Sequence, residues 1–317
     1  MDQRRLTALL AAATGADPAE KRILVCQKLV RAGYFEAVEQ PLTDLVQMPE
    51  VAGEARKLLA VSRQLKRWGI VGELERYEAD PNTPDFTSEA GVMLARRPNA
   101  RKVIFVFTGA AKQVWISIHL LHQVLPKDDC HVVYLRDHMG LCYLKGVDGL
   151  GDTYHATLDG MQALIRSLGD PAVYCMGSSG GGYGALRYGL DLGAEAVLAF
   201  SPSTDTDNLE AYLADLALEN IFGSSDVAVD IRRAYGSAAT PPRVDLVFGE
   251  RHEKDAEASR RLGDLPMVTL HPVAGYEHHD VVSQVIATGM FGGLLDRLLT
   301  EDVPAEQMAG SGSEAQR

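Results

Sequence analysis

The sequence has few cysteines, no long apolar run and no excess of positive charge. Four of its 317 residues are cysteine and no two form a CxxC pair, which predicts reduced, mostly buried thiols in a cytoplasmic protein. No apolar run approaches the ~20 residues that a membrane-spanning helix needs. Acidic residues outnumber basic ones by 43 to 31, and the net charge of −12 argues against nucleic acid and anionic membranes as partners.

The first 75 residues lack strand patterns and predict an α-helical extension. Leu6, Leu9 and Leu10 recur at helical spacing, which favours a short amphipathic helix over a cleaved signal peptide at the N-terminus. Proline and acidic residues mark where further helices begin. These helix starts are predicted at Asp17 (as the N-cap), near Pro41 and near Pro49.

Two glycines of the extension suggest a repeat. Gly33 and Gly69 each follow a helical pattern and lie 36 residues apart, close to the ~34 of a tetratricopeptide repeat. The segment 1–75 therefore resembles a degenerate form of that repeat, with a plain helical cap as the alternative. Fewer than three repeats cannot bury a core alone, so either interpretation predicts that the extension packs on the rest of the chain.

The composition changes after the extension. Residues 76–90 are polar and contain prolines, which predicts a linker. Over 91–302 short apolar runs alternate with helical patterns, which predicts an α/β fold: a mostly parallel sheet with helices on both faces. Residues 303–317 predict a disordered tail. Strands are predicted at 91–95, 103–107, 131–135, 172–176, 196–200, 244–248 and 267–270, and helices at 114–125, 155–168, 183–192, 254–263 and 280–299.

The most informative segment is a glycine-rich turn between an apolar run and a helical pattern. Ser179 lies between Gly177 and Gly181, which is the G-x-S-x-G pattern of a nucleophile elbow. Small residues two positions before and after the serine let the backbone pass through this strained turn. Ser178 cannot take the same place, because Met176 stands two residues before it.

The same turn matches a second pattern and fails a third. Gly180, Gly182 and Ala185 fit a dinucleotide fingerprint, which normally opens the first βαβ unit, whereas three predicted strands precede this turn. A phosphate-cradling loop would need a lysine after the glycines, and none follows. An acid and a histidine downstream complete the order Ser, acid, His, which favours the elbow over the dinucleotide turn.

With this elbow and this order of residues, the chain from about 90 to 300 resembles the α/β-hydrolase superfamily. The resemblance implies an eight-stranded, mostly parallel sheet, here without its first strand or two, and no metal or organic cofactor. It also implies a lid-type insertion at about 203–240, which includes the Arg232-Arg233 pair. The glycine-containing loop 136–152 is expected to border the active site.

The resemblance places the catalytic histidine on the loop after the last strand, where His278 and His279 are adjacent. Imidazole can take a serine proton at neutral pH and return it to the leaving group. We favour His279, because it directly precedes the predicted helix start at Asp280. A zinc site is the competing interpretation of the pair, but no HExxH pattern or cysteine accompanies it.

The acid is expected after the predicted strand 244–248. Where the superfamily commonly has an aspartate, three residues after the strand's glycine, this chain has His252. We favour Asp255 and then Glu250, although an aspartate at position 255 could equally cap the helix that follows. The further alternatives are Glu253, Asp205 and Asp207.

An oxyanion hole needs two backbone N–H groups. Gly180, the residue after the nucleophile, is expected to supply one of them. The loop after the predicted strand 103–107 is expected to supply the other, at Gly109 or Ala110. Small residues at these positions would let the backbone approach the acyl carbon, but Gly109 could equally be an ordinary turn glycine.

Together these residues predict a serine-dependent acyl hydrolase, of esterase or thioesterase type, or an acyltransferase. Ser179 would attack a carbonyl, His279 would act as base and then acid, and Asp255 would orient the imidazole. The expected partner is a small or acyl-bearing substrate, and a protein partner for the N-terminal helices stays open. The alternative is a catalytically silent scaffold that binds a partner through those helices; the missing family aspartate favours it.

Overall fold

A computed structural model describes residues 3–70, 84–86, 88–126, 128–204 and 230–300. Most of the predicted linker and lid, with Asp205 and Asp207, and the whole predicted tail lie outside the described residues. Within them the chain forms a seven-stranded sheet of order β1-β3-β2-β4-β5-β6-β7. The strands are β1 (Val92–Ala95), β2 (Lys102–Phe107), β3 (Cys130–Leu135), β4 (Ala172–Ser178), β5 (Ala196–Phe200), β6 (Arg243–Gly249) and β7 (Val268–Val273).

All seven strands lie where the apolar runs predict them. Only β1 is antiparallel to its neighbour β3, and every other pair in the sheet is parallel. The carboxyl ends of parallel strands meet at one edge of a sheet, where α/β proteins bind their ligands. The loops that follow β2, β4, β6 and β7 therefore share that edge.

Helices cover both faces of the sheet, which confirms the predicted fold class. Among the described residues, four helices precede the first strand and form the predicted N-terminal extension. The helices are α1 (Gln3–Thr14), α2 (Ala19–Arg31), α3 (Phe35–Leu45), α4 (Ala52–Arg67), α5 (Ile118–Val124), α6 (Tyr154–Ser167), α7 (Gly180–Asp191), α8 (Ile231–Ser237), α9 (Glu253–Arg260), α10 (Val281–Ala287) and α11 (Met290–Leu299).

The side chains of β2 show how the two faces divide. Ile104 and Val106 belong to a core with α2 to α5, α10 and α11, while Val103, Phe105 and Phe107 belong to a second core with α6 to α8. This alternation follows from the period of two in a strand. The extension thus shares a hydrophobic core with the sheet, and a free energy of burial on the order of 25 cal/mol per Å² holds it there.

One predicted helix cap and one predicted helix start are wrong. The helix expected after Asp17 does begin there, at Ala19, but Pro18 is its N-cap, and the Asp17 carboxylate instead bonds Lys21 Nζ at 2.9 Å. The helix expected to start near Pro41 already starts at Phe35, so the proline lies inside α3. Its ring is buried there, and this burial offsets the helix hydrogen bond that proline cannot donate.

Glycines in the left-handed region end or interrupt three helical stretches. Gly33 and Gly69 follow α2 and α4 with φ of 89° and 70°, which matches their predicted role as stops. The single helix predicted over 280–299 is two helices, because Gly289 adopts a φ of 78° between α10 and α11. The tetratricopeptide-like character of the extension stays a prediction.

The cysteines and the helix lengths relate to the predictions of reduced thiols and of a chain without a membrane-spanning helix. All four cysteines are free thiols and three of them are buried. In the described ranges, no helix combines the length and the apolar character needed to cross a bilayer.

Candidate active site

Ser179 stands at the sharp turn between β4 and α7. Its backbone has φ 58° and ψ −125°, a conformation that a residue with a side chain adopts only under strain. Two hydrogen bonds keep it there: its N–H donates to the Phe200 carbonyl at 2.9 Å, and its carbonyl accepts the N–H of Gly182 at 2.9 Å. The turn therefore presents the serine hydroxyl above the carboxyl end of the sheet.

The glycines on either side of Ser179 are required by the close approach of other backbone. A Cβ at Gly177 would lie 2.1 Å from the Gly181 carbonyl oxygen, and a Cβ at Gly181 would lie 2.3 Å from the Phe107 carbonyl oxygen. Neither backbone position can give way without opening the elbow. The G-x-S-x-G spacing is therefore a steric requirement of this turn.

The other glycines of the turn face protein atoms. A Cβ at Gly182 would lie 2.8 Å from Pro202 Cβ, and one at Gly184 would lie 2.7 Å from the Tyr143 ring. A dinucleotide turn needs such glycines so that a pyrophosphate can approach. Here Pro202 and Tyr143 occupy that space, which argues against the dinucleotide alternative.

The structure brings together Ser179, His279 and Asp255 from three separate segments at the edge of the sheet. Ser179 Oγ lies 2.9 Å from His279 Nε2, and His279 Nδ1 lies 2.9 Å from both carboxylate oxygens of Asp255. Asp255 is buried, whereas the His279 side chain is half exposed. The geometry is a continuous chain of hydrogen bonds from a buried carboxylate to an accessible hydroxyl.

The alternative residues of this region have other partners. His278 lies in solvent beside Glu277, with 57% of its side chain exposed. Glu250 Oε2 accepts the backbone N–H of Gly275 at 2.8 Å, which fixes the loop before His279 and leaves that carboxylate away from the imidazole. Asp255 is the third residue of α9 and does not cap it.

His252 is the residue of this site that the sequence left without a role. It caps α9, since its Nδ1 accepts the N–H of Asp255 at 3.3 Å, and the same atom lies 3.1 Å from an Asp255 carboxylate oxygen. The sequence indicated that His252 lies at this site, because it occupies the place where the resemblance implies an aspartate. Asp255, the carboxylate that contacts His279, lies three residues further along the chain, in the first turn of α9.

One group in the described residues could hold a metal ion. His252, Asp255 and His279 each offer one ligand atom, and these atoms lie within 4.8 Å of one another. A metal ion on His279 Nδ1 would displace the proton that this nitrogen shares with Asp255. The imidazole would then carry its proton on Nε2 and could not accept one from Ser179.

The surroundings of His279 change its acidity. Its hydrogen bond to Asp255 stabilises the protonated ring and raises the pKa of His279 above its ordinary value of 6.5, although burial opposes the charge. The negative charge of Asp280 acts in the same direction. Stronger basicity helps an imidazole that must take a proton from a serine hydroxyl.

This shift predicts the acid limb of the pH–rate profile. Only neutral His279 can accept the serine proton, and a raised pKa keeps the ring protonated up to a higher pH. We expect kcat/KM for ester cleavage to fall, with decreasing pH, through a midpoint above 6.5. A midpoint below 6.5 in the free enzyme would contradict the contact between His279 and Asp255.

The loop after β2 lies against the nucleophile. A Cβ at Gly109 would lie 3.9 Å from Ser179 Cβ. The Gly109 N–H, however, donates to the Gln113 carbonyl at 3.0 Å and closes a turn. Of the two residues expected to supply this donor, the exposed Ala110 is therefore the better candidate. Gly180 is the first residue of α7, so its N–H has no partner within the helix.

The loop 136–152 covers the other side of the elbow. A Cβ at Gly180 would lie 3.1 Å from Cys142 Sγ, and Met139 is 60% exposed. The Asp137 carboxylate shapes this loop by accepting the backbone N–H groups of Met139, Gly140 and Tyr143. Burial raises the pKa of Cys142 to about 11, so this thiol is neutral at physiological pH and is no competing nucleophile.

Two features near the edge of the sheet lie apart from the reaction centre. Arg232 donates to both carboxylate oxygens of Asp264, so its charge is already balanced. A cleft of about 740 Å³ separates α2 and α4 from the loop 275–280, and Lys57 and Tyr276 line it. Ser179 lies outside this cleft.

Comparisons with known proteins extend only to the fold. No protein-family model matches the sequence, and no curated protein matches it. A solved structure that matches is the capsule O-acetyltransferase of Neisseria meningitidis serogroup A, at 14% identity and a TM-score of 0.45. The match covers 66% of this chain and 93% of the acetyltransferase.

Two further solved structures give similar values. An alpha/beta hydrolase from the metagenome of lagoon sediments at Mar Chica, Morocco, matches at 14% identity and a TM-score of 0.42, over 66% of this chain and 95% of that one. An alpha-beta serine hydrolase homologue from Coxiella burnetii matches at 13% identity and a TM-score of 0.42, over 71% and 100%. At these low scores, the fold class rests on this chain's own sheet.

Proposed function

We propose that this protein is a serine-dependent acyl hydrolase or acyltransferase that works through an acyl-enzyme. The observation that carries the proposal is the hydrogen-bonded chain from Asp255 through His279 to Ser179, with the serine on a strained turn. A serine hydroxyl is a weak nucleophile until a base is positioned to take its proton. This arrangement supplies the base, the group that orients it and an accessible oxygen.

Each group has one task in the proposed reaction. Ser179 Oγ bonds to the carbonyl carbon while its proton moves to His279 Nε2, and Asp255 stabilises the imidazolium that forms. The amides of Gly180 and Ala110 would donate to the oxyanion. His279 then gives the proton to the leaving group, and the ester between Ser179 and the acyl group remains.

The second half of the reaction repeats the first with a new nucleophile. His279 Nε2 removes a proton from water or from an acceptor alcohol, amine or thiol, whose heavy atom bonds to the acyl carbon. The bond to Ser179 Oγ breaks and the serine recovers its proton. Water gives hydrolysis and any other acceptor gives acyl transfer, so one site serves both outcomes.

The substrate that we propose is small or carries an acyl group. Cys142 borders the elbow, and Met139 on the same loop 136–152 exposes an apolar side chain to solvent. We place the reaction in the cytoplasm, because four unpaired cysteines fit a reducing compartment. The silent-scaffold alternative relied on the missing family aspartate, and the contact between Asp255 and His279 supplies a carboxylate without it.

A fluorophosphonate probe tests the proposal directly. An activated serine oxygen displaces fluoride and forms a stable bond to phosphorus, so the adduct marks the nucleophile. We expect mass spectrometry of the digested protein to find one adduct per chain, on Ser179, and no adduct on protein that is heat-denatured before the probe is added. No adduct on the folded protein, or equal labelling of protein denatured beforehand, would contradict an activated serine.

A further inference from the structure

Two loops at the reaction centre are joined to each other behind the catalytic residues. The loop after β2 carries Ala110 and ends at Trp115, and the loop after β7 carries His279 and ends at Asp280. Trp115 Nε1 donates to Asp280 Oδ2 at 3.1 Å. This bond ties the segment that would hold the oxyanion to the segment that holds the base.

The N-terminal extension contacts both residues of that hydrogen bond, Trp115 and Asp280. On one side, the Arg31 Nε–H at the end of α2 donates to the Trp115 carbonyl at 2.6 Å, and the guanidinium lies 5.7 Å from the centre of the indole ring. The Ser117 N–H returns a bond to the Arg31 carbonyl at 3.0 Å. Trp115 has a φ of 59°, and these contacts hold it in that strained conformation.

On the other side, Lys57 of α4 reaches Asp280. Its Nζ lies 3.2 Å from Asp280 Oδ2, 3.1 Å from the Tyr276 hydroxyl and 2.7 Å from Glu54 Oε2, with only 10% of its side chain exposed. The Tyr276 hydroxyl donates to Asp280 Oδ1 at 2.6 Å and Ser283 Oγ to Oδ2 at 3.0 Å. The Asp280 carboxylate is thus surrounded by donors, and its position fixes the backbone next to His279.

We propose that the N-terminal helices are part of the catalytic machinery, with Lys57 and Trp115 as positioning residues that act through Asp280 on His279. The inference rests on the proposed function, because its consequence is a correctly aimed base. Lys57 sets the direction of the loop after β7 and balances the charge that Asp280 places beside the imidazole. Trp115 fixes the position of one loop relative to the other, so the distance between the base and the oxyanion donor stays constant.

The electrostatic role gives a signature that packing alone would not. The groups facing His279 are Asp255 and His252 from α9, Asp280 on its own loop and, behind Asp280, Lys57 from α4. Although burial opposes the charged forms, Asp280 and Glu54 raise the pKa of Lys57, and Lys57 lowers that of Asp280, so both are ionised at neutral pH. Removing the lysine charge leaves Asp280 unbalanced and favours the imidazolium of His279 further.

The test is the pKa of His279, measured by NMR on histidine-labelled full-length protein. We expect Lys57→Met to raise this pKa and Asp280→Asn to lower it. Lys66→Met is the matched control, because it removes the same charge from the same helix at a surface pair with Glu36. Shifts of the same sign in Lys57→Met and Asp280→Asn, or no shift in either, would overturn the proposal.

The rate of fluorophosphonate labelling provides the second measurement. We expect Lys57→Met to label about tenfold more slowly than the wild type or worse, and Lys57→Arg to recover most of the rate. If Lys57→Met does not fold, Trp115→Phe keeps an aromatic ring at this position, removes the indole N–H that donates to Asp280, and should slow labelling as well. If Lys57→Met and Trp115→Phe are labelled as fast as Lys66→Met, the positioning role is refuted. If the variants show the expected changes in the pKa of His279 but the wild type takes no label, the proposed function alone is refuted.

Discussion

Replacing Ser179 by alanine should remove activity almost completely. The substitution deletes the only oxygen of the elbow that lies within hydrogen-bond reach of His279 Nε2. Loss of the nucleophile from such a triad lowers kcat by about 10⁶-fold, so the residual rate should lie near the background of the assay. Alanine keeps a Cβ at the same backbone conformation, so we expect the melting temperature to stay near that of the wild type. Ester cleavage and fluorophosphonate labelling measure the loss.

Ser178 offers the matched control for this substitution. It is the last residue of β4 and directly precedes the nucleophile, so Ser178→Ala removes an identical hydroxyl one position away. We expect this variant to keep the wild-type rate and to carry its label on Ser179. Labelling of Ser179→Ala at the wild-type rate, or loss of labelling in Ser178→Ala, would show that Ser179 is not the nucleophile.

Asp255→Asn should have the next largest effect. The side-chain amide of asparagine can donate to His279 Nδ1, which would place the ring proton on Nε2, facing Ser179. A ring in that tautomer cannot take the serine proton, and the corresponding change in a serine triad lowers kcat by about 10⁴-fold. The two side chains have nearly the same shape, so the fold should be unaffected. Steady-state ester hydrolysis, with circular dichroism as the check on folding, measures the result.

Glu250→Gln is the control for the acid, because Glu250 is the carboxylate that the sequence placed second after Asp255. Its side chain accepts the Gly275 N–H, and the oxygen of a glutamine amide can accept the same bond. We therefore expect less than a threefold change in turnover, roughly what a neutral surface substitution gives. The opposite ranking of the two variants would move the acid to Glu250. Unchanged activity in both would direct attention to Asp205 and Asp207, or to a serine–histidine pair that works without a carboxylate.

The periodicity of the sequence was sufficient for the fold class and for its strands. Each of the seven predicted runs is a strand, and the five inner ones are almost wholly buried, as continuous apolar and β-branched residues require. Helix boundaries were harder to predict. The start of α3 at Phe35 was missed because the buried ring of Pro41 packs inside the helix, and packing overrode the rule that proline begins helices.

The elbow could be read from the sequence because its chemistry is local. Ser179, its two flanking glycines and the following helix lie within a few residues of one another, so spacing alone predicts the turn. His279 was chosen over His278 by a local argument too, its place before a helix start. Which side chain faces the serine is nevertheless a property of the loop, and there the tertiary structure decides.

The acid and the extension depended on contacts between segments far apart in sequence. Asp255 reaches His279 because it lies in the first turn of α9. Its separation of three residues from His252 in the sequence did not predict that contact. The engagement of Lys57 with Asp280 spans 223 residues, and no periodicity links the two. The sequence by itself determined the strands, the elbow and the candidate nucleophile, which follow from local sterics and burial. Only the tertiary structure showed which carboxylate contacts His279, which amide is the better candidate oxyanion donor and how both loops contact the N-terminal helices, because these features arise where separate segments meet at one edge of the sheet.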